Sequence, residues 1–237
     1  MRAIGFSTGA LAKSDFRLAL RMMNNSDADA VELSALRLHE LEPLVDAAPG
    51  LDLSRFRYVS VHVPSAFNKQ EELFVTEQLA RLASFQWPMI LHPDAIHNFG
   101  RWAAFGHLLF LENTDKRKSI GRTAEELQTV FDKLPQAQFC LDIAHSRQVD
   151  PSMTETYLLL KRFGNRLREI HISEVNTNSR HDPISLGAMT AFREMAHLIP
   201  EHTPVIIESP VAASEFVTEL RRAAESLIPE GVTTGAC

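Results

Sequence analysis

Short runs of four to six residues rich in Val, Ile, Leu and Phe recur along the chain, each followed by a stretch in which apolar residues return every three or four positions. The runs cover residues 3–7, 30–34, 58–63, 89–92, 108–112, 138–143, 168–173 and 204–208. The stretches between them carry helix-start signals. Thr123 to Glu126 and Ser152 to Glu155 have the spacing of a capping box, and Ser14-Asp15 and Ser214-Glu215 open apolar-periodic runs with a cap and an early acid. Short strands that are apolar on both faces and separated by helices belong to a parallel sheet. Eight such units in a chain of 237 residues predict one α/β domain over 1–237, a single (β/α)8 TIM barrel, with a doubly wound open sheet as the alternative.

Near the C-terminal end of seven of the eight runs stands one polar residue: Glu32, His62, His92, Glu112, Asp142, His171 or Glu208. The residue before each is a large aliphatic, Val31, Val61, Leu91, Leu111, Leu141, Ile170 or Ile207. Strand alternation then sends the aliphatic out against the helices and the polar side chain into the barrel, so all seven share one phase. Convergent buried charges are costly unless a cation offsets them. Carboxylate and imidazole donors without a thiolate suit a divalent zinc, manganese or iron ion, and so many imidazoles argue against magnesium or calcium. Two further histidines lie beyond the strand ends: His145, three residues past Asp142, and His181, in a long loop after the seventh strand.

Composition narrows the reading without changing it. A hydrophobic fraction of 45% and a charged fraction of 23% describe a globular chain, and no run approaches the ~18 apolar residues of a membrane span. The N-terminus runs straight into a strand-like segment without the pattern of a signal peptide, so a cytoplasmic protein with no membrane partner is expected. Cys140 and Cys237 make no disulfide framework; Cys140, in an apolar run, reads as a core residue. Trp87, before Pro88, reads as core at a helix-strand corner, while Trp102 is open to packing on the barrel or to roofing the site. Lys plus Arg number 24 against 30 Asp plus Glu, a formal charge of −6 that argues against general binding to a phosphate backbone.

The segments Leu91-His92-Pro93, Leu111-Glu112-Asn113-Thr114, Leu141-Asp142-Ile143-Ala144-His145, Ile170-His171-Ile172-Ser173 and Ile207-Glu208-Ser209 resemble those of the xylose isomerase-like barrels, which include endonuclease IV, sugar isomerases and sugar epimerases. The resemblance spans nearly the whole chain. It implies a four-ligand metal site at Glu112, Asp142, His171 and Glu208, used by the epimerases with one divalent ion. In endonuclease IV it implies further ligands at His62, His92, His145 and His181, which together hold three zinc ions. The departure is Ser179, where that family has an aspartate; Asp182 is the candidate substitute.

Two catalytic classes follow, with one to three ions and two favoured. Hydrolysis of a phosphoester needs a bridging carboxylate, an activated water and cations over the leaving oxygen. Glu112 would bridge, His62 and His92 would hold one ion, and Asp142, His171 and Glu208 its neighbour. Isomerisation or epimerisation of a small sugar needs one ion and a pair of acid/base groups, which Glu112 and Glu208 would supply while His145 contacts a sugar oxygen. A barrel that binds without catalysis is the third class. The short loops and negative charge favour a small phosphorylated or sugar-like substrate over duplex DNA. Glu32, Arg147 and Arg180 are the candidates for holding it.

Overall fold

In the computed structural model, which describes residues 2–229, seven of the runs become strands β1 (Ile4–Ser7), β2 (Ala30–Ser34), β3 (Tyr58–His62), β4 (Met89–Leu91), β5 (Leu109–Glu112), β6 (Gln138–Asp142) and β7 (Leu167–Ile172). The eighth run becomes β10 (Val205–Ile207) after a small hairpin, β8 (Glu174–Val175) and β9 (His181–Asp182). The eight are parallel and close in the order β1-β10-β7-β6-β5-β4-β3-β2. Pairing of Ile4 with Val205 and of Phe6 with Ile207 seals the last seam, which rules out the doubly wound sheet. Cys237 lies outside the described residues.

Alternation divides the core as the pattern predicts. Val31, Val61, Leu91, Leu111, Leu141, Ile170 and Ile207 are fully buried in one outer cluster between sheet and helices. Two smaller clusters, one containing Ala30 and Ile206 and the other Ile90, Phe110 and Cys140, fill the lumen below the mouth. Trp102 belongs to the outer cluster and donates its Nε1–H to the buried Glu72 at 2.8 Å, so it packs on the barrel and does not roof the site. Trp87 stacks on Phe85 at 4.3 Å.

The helices alternate with the strands: α1 (Thr8–Ala12) and α2 (Phe16–Met23) after β1, α3 (Leu38–Ala47) after β2, α4 (Glu72–Ala80) after β3, and α5 (Phe99–Ala103) after β4. Then follow α6 (Ala124–Phe131) after β5, α7 (Ile143–Val149) and α8 (Thr154–Phe163) after β6, α9 (Leu186–Met195), and α10 (Phe216–Ser226) after β10. Helix α2 buries Phe16, Ala19 and Met23, positions three and four apart on one face. Thr123 caps α6 by accepting from Glu126 N–H, as its spacing predicts. Three starts differ. At α2 the cap is Asp15, accepting from Leu18 N–H, and not Ser14. Helix α8 begins at Thr154 behind Met153, held at φ 61°, and Asp150, not Ser152, accepts from Glu155 N–H. A single 3₁₀ turn over Ala213–Glu215 precedes α10, so Ser214 lies inside that turn.

On β1 the inward residue in the plane of the other strands is Gly5, and a Cβ there would lie 1.6 Å from the carbonyl oxygen of Ala30 on β2. The close approach of two backbones excludes any side chain. Gly5→Ala should therefore lower stability by about 1–3 kcal/mol, the usual cost of overpacking a filled interior. Urea denaturation checks it; an unchanged midpoint would mean that the β1–β2 seam can open without cost.

Candidate metal centre

At the C-terminal mouth, Glu112, Asp142 and His171 are fully buried, and His62, His92 and His145 are buried. Two of the seven predicted strand-end residues fall just outside the ladder. His92 keeps an extended backbone and opens the 3₁₀ turn Pro93–Ala95, where proline lacks the N–H that would continue pairing. Glu208 follows β10 and still donates its N–H to Ile172 O at 3.0 Å. The aligned strand ends thus deliver side chains from β3 through β10 to one volume.

The polar groups around the mouth fix which atoms face inward. His62 Nδ1 lies 2.8 Å from Val63 O, a contact that only an Nδ1–H can make, so Nε2 carries the lone pair in the neutral ring. That Nε2 lies 3.2 Å from Glu112 Oε2. His92 Nε2 is also 3.2 Å from Glu112 Oε2, without hydrogen-bond geometry. Glu112 Oε1 faces the other way, 3.4 Å from His145 Nδ1 and 3.5 Å from His171 Nδ1. Asp142 ends β6 and caps α7: Oδ1 accepts from His145 N–H at 2.7 Å and Oδ2 is left toward the mouth. One helical turn places His145 beside it, with Nδ1 3.1 Å from Asn113 O.

Asn113 is a residue that the strand-end pattern misses. Its side chain donates to Asp142 O at 2.8 Å and accepts from Asp142 N–H at 2.9 Å, which joins β5 to β6 one residue past their ladder and holds Glu112 and Asp142 in register. Glu32 is fully buried and paired in register with Ser60, so it stands deeper than His62; it contacts His171 Nε2 at 3.1 Å and does not line the cavity.

Among the described residues, nine buried side-chain N or O atoms have no hydrogen-bond partner, and seven of them belong to Glu32, His92, Glu112, Asp142, His171 and Glu208. Orphaned polar atoms are expensive singly, and such convergence fits a cation. Among the described residues five groups of donors lie close enough for one ion each, of which two reach deeper into the lumen, Glu32, His62 and His171, and Cys140, Glu169 and His171. The other three are His62, His92 and Glu112; Glu112, Asp142, His171 and Glu208; and Asp142, His145 and His181. Neighbours among these three share a carboxylate, first Glu112 and then Asp142. His181 reaches the site from β9, with Nδ1 2.8 Å from Ser173 Oγ and 3.5 Å from Glu208 Oε2.

The candidate substitute for the missing aspartate is elsewhere. Asp182 turns to Asn176, accepting from Nδ2 at 2.9 Å, and does not line the cavity. Ser179 is buried beside the site at φ 52°, its Oγ accepting from Gln148 Nε2 at 2.8 Å. The carboxylate that does line this side is Asp115, clasped by Arg117 at 2.9 Å.

The cavity over the donors has a volume of about 410 Å³, the size of a small-molecule site. Its rim cations are Lys13, Arg117 and Lys118. Arg147 pairs with Glu174 at 3.0 Å, and neither it nor Arg180 lines the cavity. Of the four non-glycine residues at positive φ among the described residues, Lys13 and Ser179 both border this cavity, the kind of strain that collects at functional sites.

The charges respond to one another strongly. Burial alone would push the His62 and His145 imidazoles down, but nearby carboxylates, Glu32 and Glu112 for His62 and Asp142 and Glu112 for His145, raise them to about 9 and about 10. His181, where burial dominates and His145 adds to it, falls to about 4. Burial, together with Glu112 and Asp142, pushes Glu208 up to about 8, while His92 and His171 hold Glu112 well below the usual carboxylate range against the cost of burial.

No protein-family model and no curated protein sequence matches the chain. Among solved structures it is similar to endonuclease IV from Thermus thermophilus, with a TM-score of 0.60 and 17% identity over 95% of this chain and 98% of that one. It is similar as well to a xylose isomerase domain protein from Alicyclobacillus acidocaldarius, with a TM-score of 0.63 and 12% identity over 96% and 98% of the two chains. A third is 3-keto-D-glucoside 4-epimerase, YcjR, from E. coli, with a TM-score of 0.53 and 13% identity over 93% and 98%. The likeness at this identity is one of fold, a closed (β/α)8 barrel.

Without a cation the cluster balances its carboxylates by keeping protons on imidazoles, and a metal ligand must give its proton up. His62 and His145 are raised, so at pH 7 they hold protons that binding displaces. Zinc titrated at pH 7 should release protons, fewer at pH 9 as His62 passes its raised value, and apparent affinity should weaken as pH falls toward 6. Calorimetry in buffers of different ionisation enthalpy measures this; binding with no proton release at pH 7 would contradict the assignment.

Proposed function

We propose that the chain is a metal-dependent hydrolase with a multinuclear site, acting on a small phosphorylated or sugar-like substrate. The observation that carries this reading is the opposed disposition of the two Glu112 oxygens. Oε2 faces His62 and His92, and Oε1 faces His171 within the group completed by Asp142 and Glu208. A carboxylate so placed would serve two cation sites at once. On this reading His62, His92 and one oxygen of Glu112 hold the first ion, and Asp142, His171, Glu208 and the other oxygen hold the second. Zinc, manganese or iron suits these donors. When bound, two such ions would supply Lewis acidity at the reacting oxygens and lower the pKa of water.

The chain's own groups do the rest. The cavity admits a small molecule, and Lys13, Arg117 and Lys118 present cations at its rim, with Lys118 Nζ 2.9 Å from Asp94 and Arg117 on Asp115. An anionic substrate approaching the donors passes these three. Glu208 also lines the cavity, where it would hold the second ion beside Asp142 and His171. A second reading is a mononuclear sugar isomerase or epimerase in which Glu112 and Glu208, both at the cavity wall, exchange protons with the substrate. The mononuclear reading leaves His62 and His92, which face a carboxylate oxygen across 3.2 Å, without a cation between them.

The discriminating experiment counts metal per chain in protein prepared without chelator, alongside the His62→Ala/His92→Ala double variant. A two-ion hydrolase loses about one equivalent in the variant, and turnover of small phosphoesters falls by about 10²-fold or more, as expected when a cation over the reacting oxygens is lost. Unchanged stoichiometry, with ketose or aldose interconversion in place of ester hydrolysis, would overturn the hydrolase reading in favour of the isomerase.

A further inference from the structure

One buried carboxylate near the centre has no part in the proposed two-ion site and falls in the deeper group with Cys140 and His171. Glu169 lies on β7 two residues before His171, pointing into the lumen and fully buried. Its Oε1 accepts from Ser60 Oγ at 3.1 Å and lies 3.0 Å from His171 Nε2; its Oε2 accepts from Tyr58 Oη at 2.5 Å. Strands β3 and β7 stand four places apart in the eight-stranded ring, so these bonds span the lumen from one wall to the opposite one.

Tyr58 Oη and Ser60 Oγ both donate to this carboxyl group, and its remaining close contact is completed by an N–H donated from His171. For His171 this puts the proton on Nε2 and turns Nδ1, which has no hydrogen-bond partner, toward Glu112 and Glu208 at 3.5 Å each. Glu32 also approaches Nε2, at 3.1 Å, but its Oε2 makes no hydrogen bond; the ring is aligned on Glu169 and not on Glu32. Tyr58 and Ser60 in turn hold the carboxylate still. A need to satisfy those two hydroxyls does not explain a carboxylate at the barrel axis, since burying one costs several kcal/mol that a neutral amide would avoid.

We infer that Glu169, braced by Tyr58 and Ser60, is a positioning residue that fixes the tautomer and ring orientation of His171 for metal binding through Nδ1. Histidine ligands commonly donate their second N–H to a carboxylate, which raises ligand basicity, and losing that partner costs roughly 10–100-fold in metal affinity. The inference rests on His171 being a ligand, as proposed above, and not on the number of ions or the reaction.

The test measures zinc affinity by chelator competition in the full chain and in four variants, with the imidazole N–H resonances of the zinc-loaded proteins recorded by NMR. His171→Ala tests the ligand assignment itself: affinity equal to the parent's overturns that reading and this inference with it. Glu169→Gln keeps the shape and an acceptor oxygen but removes the charge, and about a 10-fold weaker affinity is expected. Glu169→Met removes the acceptor, and a loss approaching about 100-fold is expected, together with disappearance of the solvent-protected Nε2–H signal of His171. Tyr58→Phe, which deletes a brace without touching His171, controls for packing: retention of the Nε2–H signal with a smaller affinity loss supports the chain of contacts. If His171→Ala loses an ion while Glu169→Gln and Glu169→Met, shown folded by circular dichroism, keep the parent's affinity and the Nε2–H signal, Glu169 only ties Tyr58 to the barrel and the inference fails.

Discussion

The structure depends on one electrostatic constraint: carboxylates and imidazoles from most of the barrel strands are packed into one buried cluster. Glu32, Glu112, Asp142, Glu169 and His171 have no exposed surface, yet several of their atoms lack hydrogen-bond partners. Such a cluster is tolerable only if positive charge is placed inside it. In the protein alone that charge comes from protons on His62 and His145, both raised by the carboxylates around them. Divalent cations would supply the same charge with directed bonds. Glu112 is the pivot because it presents one oxygen to His62 and His92 and the other to His171.

The barrel provides position, and local devices add aim. Parallel strands of matched length bring their C-terminal ends to a common rim. Asn113 then locks Glu112 to Asp142 where the ladder has ended, and Asp142 spends one oxygen on the α7 cap so that the other is directed inward. Pro93 ends β4 directly after His92. The β8–β9 hairpin, with Val175 opposite His181, carries a donor back over the mouth from a loop that would otherwise lead away. Each device uses a backbone group that had to be satisfied in any case, which is why a site of this density fits in short loops.

Much of this was legible in the sequence because period-two alternation marks direction. A polar residue preceded by a large aliphatic at the end of an apolar run has to face the lumen, and the seven residues found in that way lie at or just below the mouth. Depth was less legible. Equal positions in sequence are staggered around a barrel, so Glu32 lies level with Ser60 while His62 stands above it. Glu169 has the same inward phase as His171, and the signal that could have found it is an acid two residues before a histidine inside a buried strand. The rim cations were not legible, because Lys13, Arg117 and Lys118 sit in connections whose course no periodicity reports. Arg147 and Arg180 are near the site in sequence, but the structure ties the first to Glu174 and leaves both off the cavity wall. Nor does a motif two residues from His181 reveal that Asp182 turns to Asn176 while Asp115 arrives from another loop.

The central claim is that Glu112 stands between two cations, and anomalous diffraction from crystals grown with zinc tests it most directly. The account predicts two peaks about 3.5–4 Å apart, one beside His62 and His92 and one beside Asp142, His171 and Glu208, with a Glu112 oxygen bound to each. A single peak among Glu112, Asp142, His171 and Glu208, with His62 and His92 bonded only to water or protein, would contradict it.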